Sequence, residues 1–130
     1  MGVRFSTAYS NSALGAPGSA GTEIVVITTP PLTQVLDGAQ VFIFWFLLVL
    51  IGIGTTLANV RLRRGTTTAG ALLTVNQTVN VTATLNTVFS GVYADSPGAV
   101  AGQQYSMTLG GAGTTGAWTA LDYSMLAIIL

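Results

Sequence analysis

From residue 22 onward apolar and polar residues alternate along much of the chain. A period of two is the mark of β-strands, whose successive side chains point to opposite faces. Residues 22–28 (TEIVVIT) are rich in β-branched side chains, and Pro30-Pro31 stops them. Residues 57–63 set Ala58, Val60 and Leu62 against Asn59, Arg61 and Arg63. Residues 74–86 place Val75, Val79, Val81, Ala83 and Leu85 on one face, with Thr74, Asn76, Thr78, Asn80, Thr82, Thr84 and Asn86 on the other. Tyr105, Met107 and Leu109 repeat the pattern against Gln104, Ser106 and Thr108, and residues 121–130 predict a closing strand. Turn signals separate these runs: Asp37-Gly38, Arg64-Gly65, Ser96-Pro97-Gly98 and the stretch 110–116. Many short strands joined by Gly-rich turns predict an all-β sandwich or barrel.

Residues 41–53 (VFIFWFLLVLIGI) depart from alternation, being apolar throughout. Two readings fit them. As a strand buried on both faces, Val41, Ile43, Trp45, Leu47, Val49 and Ile51 would face the core, leaving Phe42, Phe44, Phe46, Leu48 and Leu50 for a partner subunit. As a membrane span, residues 41–60 would form a helix of about twenty residues with Arg61, Arg63 and Arg64 as cationic flank. Residues 1–21 are mostly Ser, Ala and Gly with Pro17, and lack the apolar content for a core. They predict an extended N-terminal arm ahead of a sandwich domain over 22–130. Arg4, Phe5, Tyr9 and Leu14 are its candidate contacts to a larger shell.

Composition sharpens the picture. Half of the 130 residues are hydrophobic and 6% are charged, with four residues of each sign, against roughly a quarter charged in ordinary soluble domains. Such a surface calls for cover by neighbouring subunits or a bilayer. Zero net charge argues against nucleic acid as partner. Without cysteine there is neither a disulfide framework nor a thiolate metal site.

The run from Ala58 to Gly70 (ANVRLRRGTTTAG), the Thr/Val strand after it, residues 95–109 (DSPGAVAGQQYSMTL) and the closing strand together resemble small structural proteins of tailed bacteriophages. The resemblance covers roughly residues 23–130 and leaves the arm out. It implies a single jelly-roll-like antiparallel β-sandwich, assembled as a homotrimer. It also implies a place in the virion as a capsid decoration, cement or minor capsid protein, with capsid proteins as partners. The chain departs from the family at residues 41–53, which are more hydrophobic than the matching segment of those proteins.

Chemistry-bearing residues are few. His, Cys and Lys are absent, so the usual general bases and activated nucleophiles are missing. The carboxylates Glu23, Asp37, Asp95 and Asp122 are scattered, and Asp37 and Asp95 fall in turn signals. These features predict a protein that is not an enzyme and takes no cofactor. Gly111-Ala-Gly113-Thr-Thr-Gly116 spells the dinucleotide fingerprint. That motif works only where a strand feeds a helix, and here a strand is expected to follow. Arg61 and Arg63 lie on a polar strand face, where solvation or an ion pair between subunits accounts for them, with phosphate or headgroup contact as the alternative.

Overall fold

The computed structural model describes residues 4–10, 14–16, 23–51, 57–79, 85–112 and 118–130. These form strands and their connections, with no helix among them. In chain order the strands are β1 (Arg4–Ser10), β2 (Leu14–Ala16), β3 (Glu23–Thr28), β4 (Val41–Ile51), β5 (Leu57–Arg64), β6 (Ala71–Val79), β7 (Leu85–Asp95), β8 (Tyr105–Ala112) and β9 (Trp118–Ile129). One sheet runs β1-β9-β4-β7, with β2 also on β9, and the other runs β3-β8-β5-β6. Every described pairing is antiparallel. Between β3 and β9 the chain changes sheet at each connection except the β5–β6 hairpin. A five-stranded and a four-stranded antiparallel sheet linked this way are a jelly roll.

The core lies between the sheets and uses the alternation read from the sequence. From the first sheet come Val41, Ile43, Trp45, Leu47 and Val49 of β4, Phe89 of β7, and Ala120, Tyr123, Met125 and Ala127 of β9. The second supplies Val26, Val60, Leu62, Tyr105, Met107 and Leu109. Trp45 lies over Gly91 of β7 so closely that a Cβ there would meet the indole ring at 2.5 Å. Connection 29–40 is fastened down rather than looped out. Leu32 and Val35 exchange backbone hydrogen bonds with the 100–103 segment, and both side chains are buried. Gly38 and Gly98 take φ of 76° and 81° on backbone that favours glycine; Asp37-Gly38 forms the turn the sequence signals, whereas 96–98 is the irregular connection that leaves β7.

Several expectations are corrected. Residues 41–51 are a strand, β4, paired on both sides, which is the first of the two readings of this segment, and the alternative helix over 41–60 does not form there. Among the described residues no helix is long and apolar enough to cross a membrane. The boundary at residue 22 does not separate an arm from the sandwich. β1 pairs with β9 from Arg4↔Ile129 to Ser10↔Tyr123, and β2 from Leu14↔Ala120 to Ala16↔Trp118. An edge on β9 offers backbone hydrogen bonds to any extended segment whatever its side chains, and composition is blind to that. The alternation over 74–86 is divided between two strands, β6 ending at Val79 and β7 beginning at Leu85, with residues 80–84 outside the described ones. Gly111 belongs to β8, and the segment after the glycine-rich stretch is β9, a strand, so the fingerprint has no helix to open. Its remaining residues, 113–116, lie outside the described ones.

Candidate functional site

The outward face of the first sheet is the most distinctive surface of the molecule. β4 alternates strictly: Val41, Ile43, Trp45, Leu47 and Val49 are buried, while Phe42, Phe46, Leu48 and Leu50 are half-buried and Phe44 is 43% exposed. Register extends these side chains into rows. Phe42 stands between Ile128 of β9 and Ala94 of β7, Phe44 between Leu126 and Val92, and Leu48 between Asp122 and Val88. Val88 and Val92 are 56% and 55% exposed. The rows of Phe42 and Phe44 are apolar across all three strands, whereas Leu48 is flanked by Asp122, Phe46 by Ser124 and Ser90, and Leu50 by Thr119 and Asn86. One Asp122 carboxylate oxygen is buried at this face without a hydrogen-bond partner.

The interface positions read from the sequence, Phe42, Phe44, Phe46, Leu48 and Leu50, are thus brought together on one face, and Val88, Val92, Leu126 and Ile128 are added to them. Val88 and Val92 were missed because β7 mixes Thr87, Gly91 and Asp95 with Phe89 and Tyr93 on its core side, and Asn86 and Ser90 with the valines outside, so its two faces read alike. Arg4, Phe5 and Tyr9 fall in β1 opposite Ile129, Ile128 and Ser124, and Leu14 in β2 opposite Ala120.

The charged residues are used in two clusters. On the outer face of the second sheet Arg63 grips Glu23, Nε to Oε1 at 2.8 Å and Nη2 to Oε2 at 3.0 Å, and its Nη1 donates to the Gly70 carbonyl at 2.8 Å. Thr108 Oγ1 also donates to Glu23, and Arg61 Nη1 lies 3.6 Å from Oε2. Burial pushes the Glu23 carboxyl up, but the hydrogen bonds from Arg63 and Thr108 and the charges of Arg61 and Arg63 outweigh it, so its pKa falls below the ordinary 4.5. Arg61 and Arg63 thus have an ion-pair partner within the chain, Glu23. No local signal could reveal it, because Glu23 is 40 residues from Arg63.

The second cluster joins the two sheets. Asp95 ends β7 in the first sheet and is 4% exposed. It accepts from Arg64 Nε at 3.0 Å and Nη2 at 2.5 Å, and from the Tyr105 hydroxyl at 2.9 Å. Arg64 and Tyr105 are register partners on β5 and β8 of the second sheet. Burial, and then the hydrogen bond to Asp95, push the Tyr105 phenol well above its usual 10.0. The Asp95 hydrogen bond likewise raises the Arg64 guanidinium. Asp95, expected in a turn, is instead a buried bolt between sheets. Both clusters spend their carboxylates on ion pairs, and among the described residues no three metal-ligating side chains gather.

No family model matches the chain, and no curated protein does. Solved structures do. The structure of infectious bursal disease virus, Gx strain, superposes with a TM-score of 0.62 at 10% identity over 98% of this chain and 32% of that one. The VP2 subviral particle of infectious bursal disease virus gives 0.58 at 9% identity, covering 97% and 32%. Dimeric latent PorU from Porphyromonas gingivalis gives 0.52 at 12% identity, covering 99% of this chain and 13% of that one. The chain thus spans about a third of the viral chains it matches. At such identities the likeness is one of fold: the chain is an antiparallel jelly-roll β-sandwich of the kind found within those virus-particle proteins.

Proposed function

We propose that this chain is a structural subunit of a virion, placed in or on the capsid shell, where it holds copies of itself and neighbouring capsid proteins together mechanically. The observation that carries this reading is the apolar outer face of β4 and its neighbours, Phe42, Phe44, Phe46, Leu48 and Leu50 with Val88 and Val92, displayed on a fold shared with virus-particle proteins. Burying apolar area contributes about 25 cal/mol per Å² before the costs of association, so one such face repeated around a shell adds up. The finer reading follows the sequence resemblance: a decoration, cement or minor capsid protein of a tailed bacteriophage, assembled as a trimer. The edge formed by β1 and β2, with Arg4, Phe5, Tyr9 and Leu14, is the second proposed contact to shell neighbours.

Phe44→Asp tests the face. In the isolated chain the charge would stay in water, since Phe44 is 43% exposed, so folding should survive. In an assembly it would be desolvated without a partner, at a cost of several kcal/mol. Sedimentation velocity should show a smaller assembly for Phe44→Asp than for wild type, with an unchanged β-type circular dichroism spectrum. Wild-type and variant assembling alike would remove this face from the mechanism.

A further inference from the structure

We propose that β7 is a self-complementary edge, and that two copies of the chain join by pairing their β7 strands antiparallel about a twofold axis, fusing two first sheets into one. The proposal rests on the assembly reading and adds to it a second, twofold contact between copies, separate from the one made by the outer face.

The argument starts from where the backbone groups of β7 point. Leu130 N–H donates to the Gln40 carbonyl at 3.0 Å, which makes Gln40 and Leu130 a hydrogen-bonded pair of the β4–β9 ladder. Residues of a strand direct their N–H and C=O alternately to one neighbour and the other. Even residues of β4 therefore bond β9, and odd ones bond β7. Opposite the odd residues stand Thr87, Phe89, Gly91, Tyr93 and Asp95. The N–H and C=O groups of Asn86, Val88, Ser90, Val92 and Ala94 face away from β4, along the outer edge of the sheet. Among the described residues no other hydrogen bond takes them up.

Edges of this kind are templates for pairing, and proteins usually blunt them with charge, Pro, bulges or short length. The other edges of this sandwich are blunted. On the β1 side β2 is a three-residue strand, β3 carries the Glu23 cluster and a register shift between Val25 and Ile27, and the β5–β6 ladder shifts between Leu62 and Arg63. β7 has none of these devices over 86–94: its register with β4 runs unbroken through eleven pairs, with no Pro and no charge.

Self-pairing then has one natural register. With Ser90 on the axis, Ser90 meets Ser90, Val88 of one copy meets Val92 of the other, and Asn86 meets Ala94. Each of these is a pair whose edge groups point at one another, so every open N–H and C=O finds a partner. Val88 and Val92 are exposed in the single chain and become cross-strand apolar pairs. By register they continue the rows of Leu48 and Phe44, so the apolar faces of the two copies join. The other large exposed hydrophobics, Leu36, Leu72 and Leu130, make no such row.

Because the chain has no cysteine, a single thiol reports the contact. In a hydrogen-bonded antiparallel pair the Cα atoms lie about 5.5 Å apart, within the roughly 4.4–6.8 Å a disulfide spans. Ser90→Cys should give covalent dimer on mild oxidation or with a short thiol-to-thiol linker. Val88→Cys or Val92→Cys alone should cross-link far less, and a mixture of the two should cross-link well. Thr67→Cys, on the exposed β5–β6 turn, is the control. Ser90→Pro removes only the N–H that faces the open edge, which strand edges tolerate. It should leave the circular dichroism unchanged and abolish this dimer. If wild type self-associates but Ser90→Cys cross-links no better than Thr67→Cys, or Ser90→Pro still dimerises through this edge, the edge pairing is wrong and the assembly reading stands. A chain that stays monomeric at all concentrations overturns both.

Discussion

Replacing Asp95 with Ala tests whether the two sheets are bolted at one end. The carboxylate is 4% exposed and holds both the Arg64 guanidinium and the Tyr105 hydroxyl. Tyr105 is fully buried, so its hydroxyl would lose its acceptor where water cannot replace it, a cost of about 1–3 kcal/mol. Arg64 keeps 35% of its side chain exposed and can turn to solvent, which puts its loss near the lower end for a broken ion pair, about 1 kcal/mol. The total is about 3 kcal/mol, large against the roughly 5–15 kcal/mol that stabilises a domain. With a urea dependence of about 1.5 kcal/mol/M, the midpoint should fall by about 2 M, followed by fluorescence of the buried Trp45. A cycle with Tyr105→Phe isolates the bond: removing donor and acceptor together should cost about 1–2 kcal/mol less than the sum of the single changes. A midpoint shift under about 0.5 M, or strictly additive single changes, would refute the bolt.

The remaining predictions concern pH and the N-terminal strands. Glu23 is held below its ordinary pKa of 4.5 in the fold. The stability it contributes is therefore present above that value and lost as pH falls through the lowered one. Urea midpoints measured from pH 6 to pH 2 should decline below about pH 4.5, and the decline should be shallower in Glu23→Gln. Deleting residues 1–21 removes β1 and β2 from β9 and leaves a new open edge. The truncated chain should lose stability and aggregate on warming; thermal unfolding identical to the full chain would return these residues to the role of a detached arm.

How much of this was legible in the sequence depends on where each signal resides. The core face of β4 could be read because an uninterrupted apolar run satisfies either face, and the Tyr105, Met107 and Leu109 alternation marked β8 without ambiguity. The same run left strand and helix open, since length and apolarity alone do not distinguish a twice-covered strand from a span. β7 was invisible because a core glycine is needed under Trp45 and a core aspartate is needed by Arg64, both tertiary demands that interrupt the apolar face formed by Phe89 and Tyr93. Glu23 and Arg63 meet through the β3-β8-β5 order, which no spacing encodes. β1 and β2 are held by backbone pairing to β9, and backbone has no residue signature.

The strand order also carries a schedule. β8 lies between β3 and β5, and β9 between β1 and β4, so each sheet takes its central strand from the last-made part of the described chain. During synthesis β1 to β7 leave the ribosome without the strands that join them. Only β4–β7 and β5–β6 can zip before residue 105 appears. Pairings so distant in sequence are slow to close, and until they close the apolar faces of β4 stay open to other nascent chains. The last quarter of the chain therefore acts as the commitment step of folding, and a stalled or clipped product would be aggregation-prone even though most of its core residues had already been made.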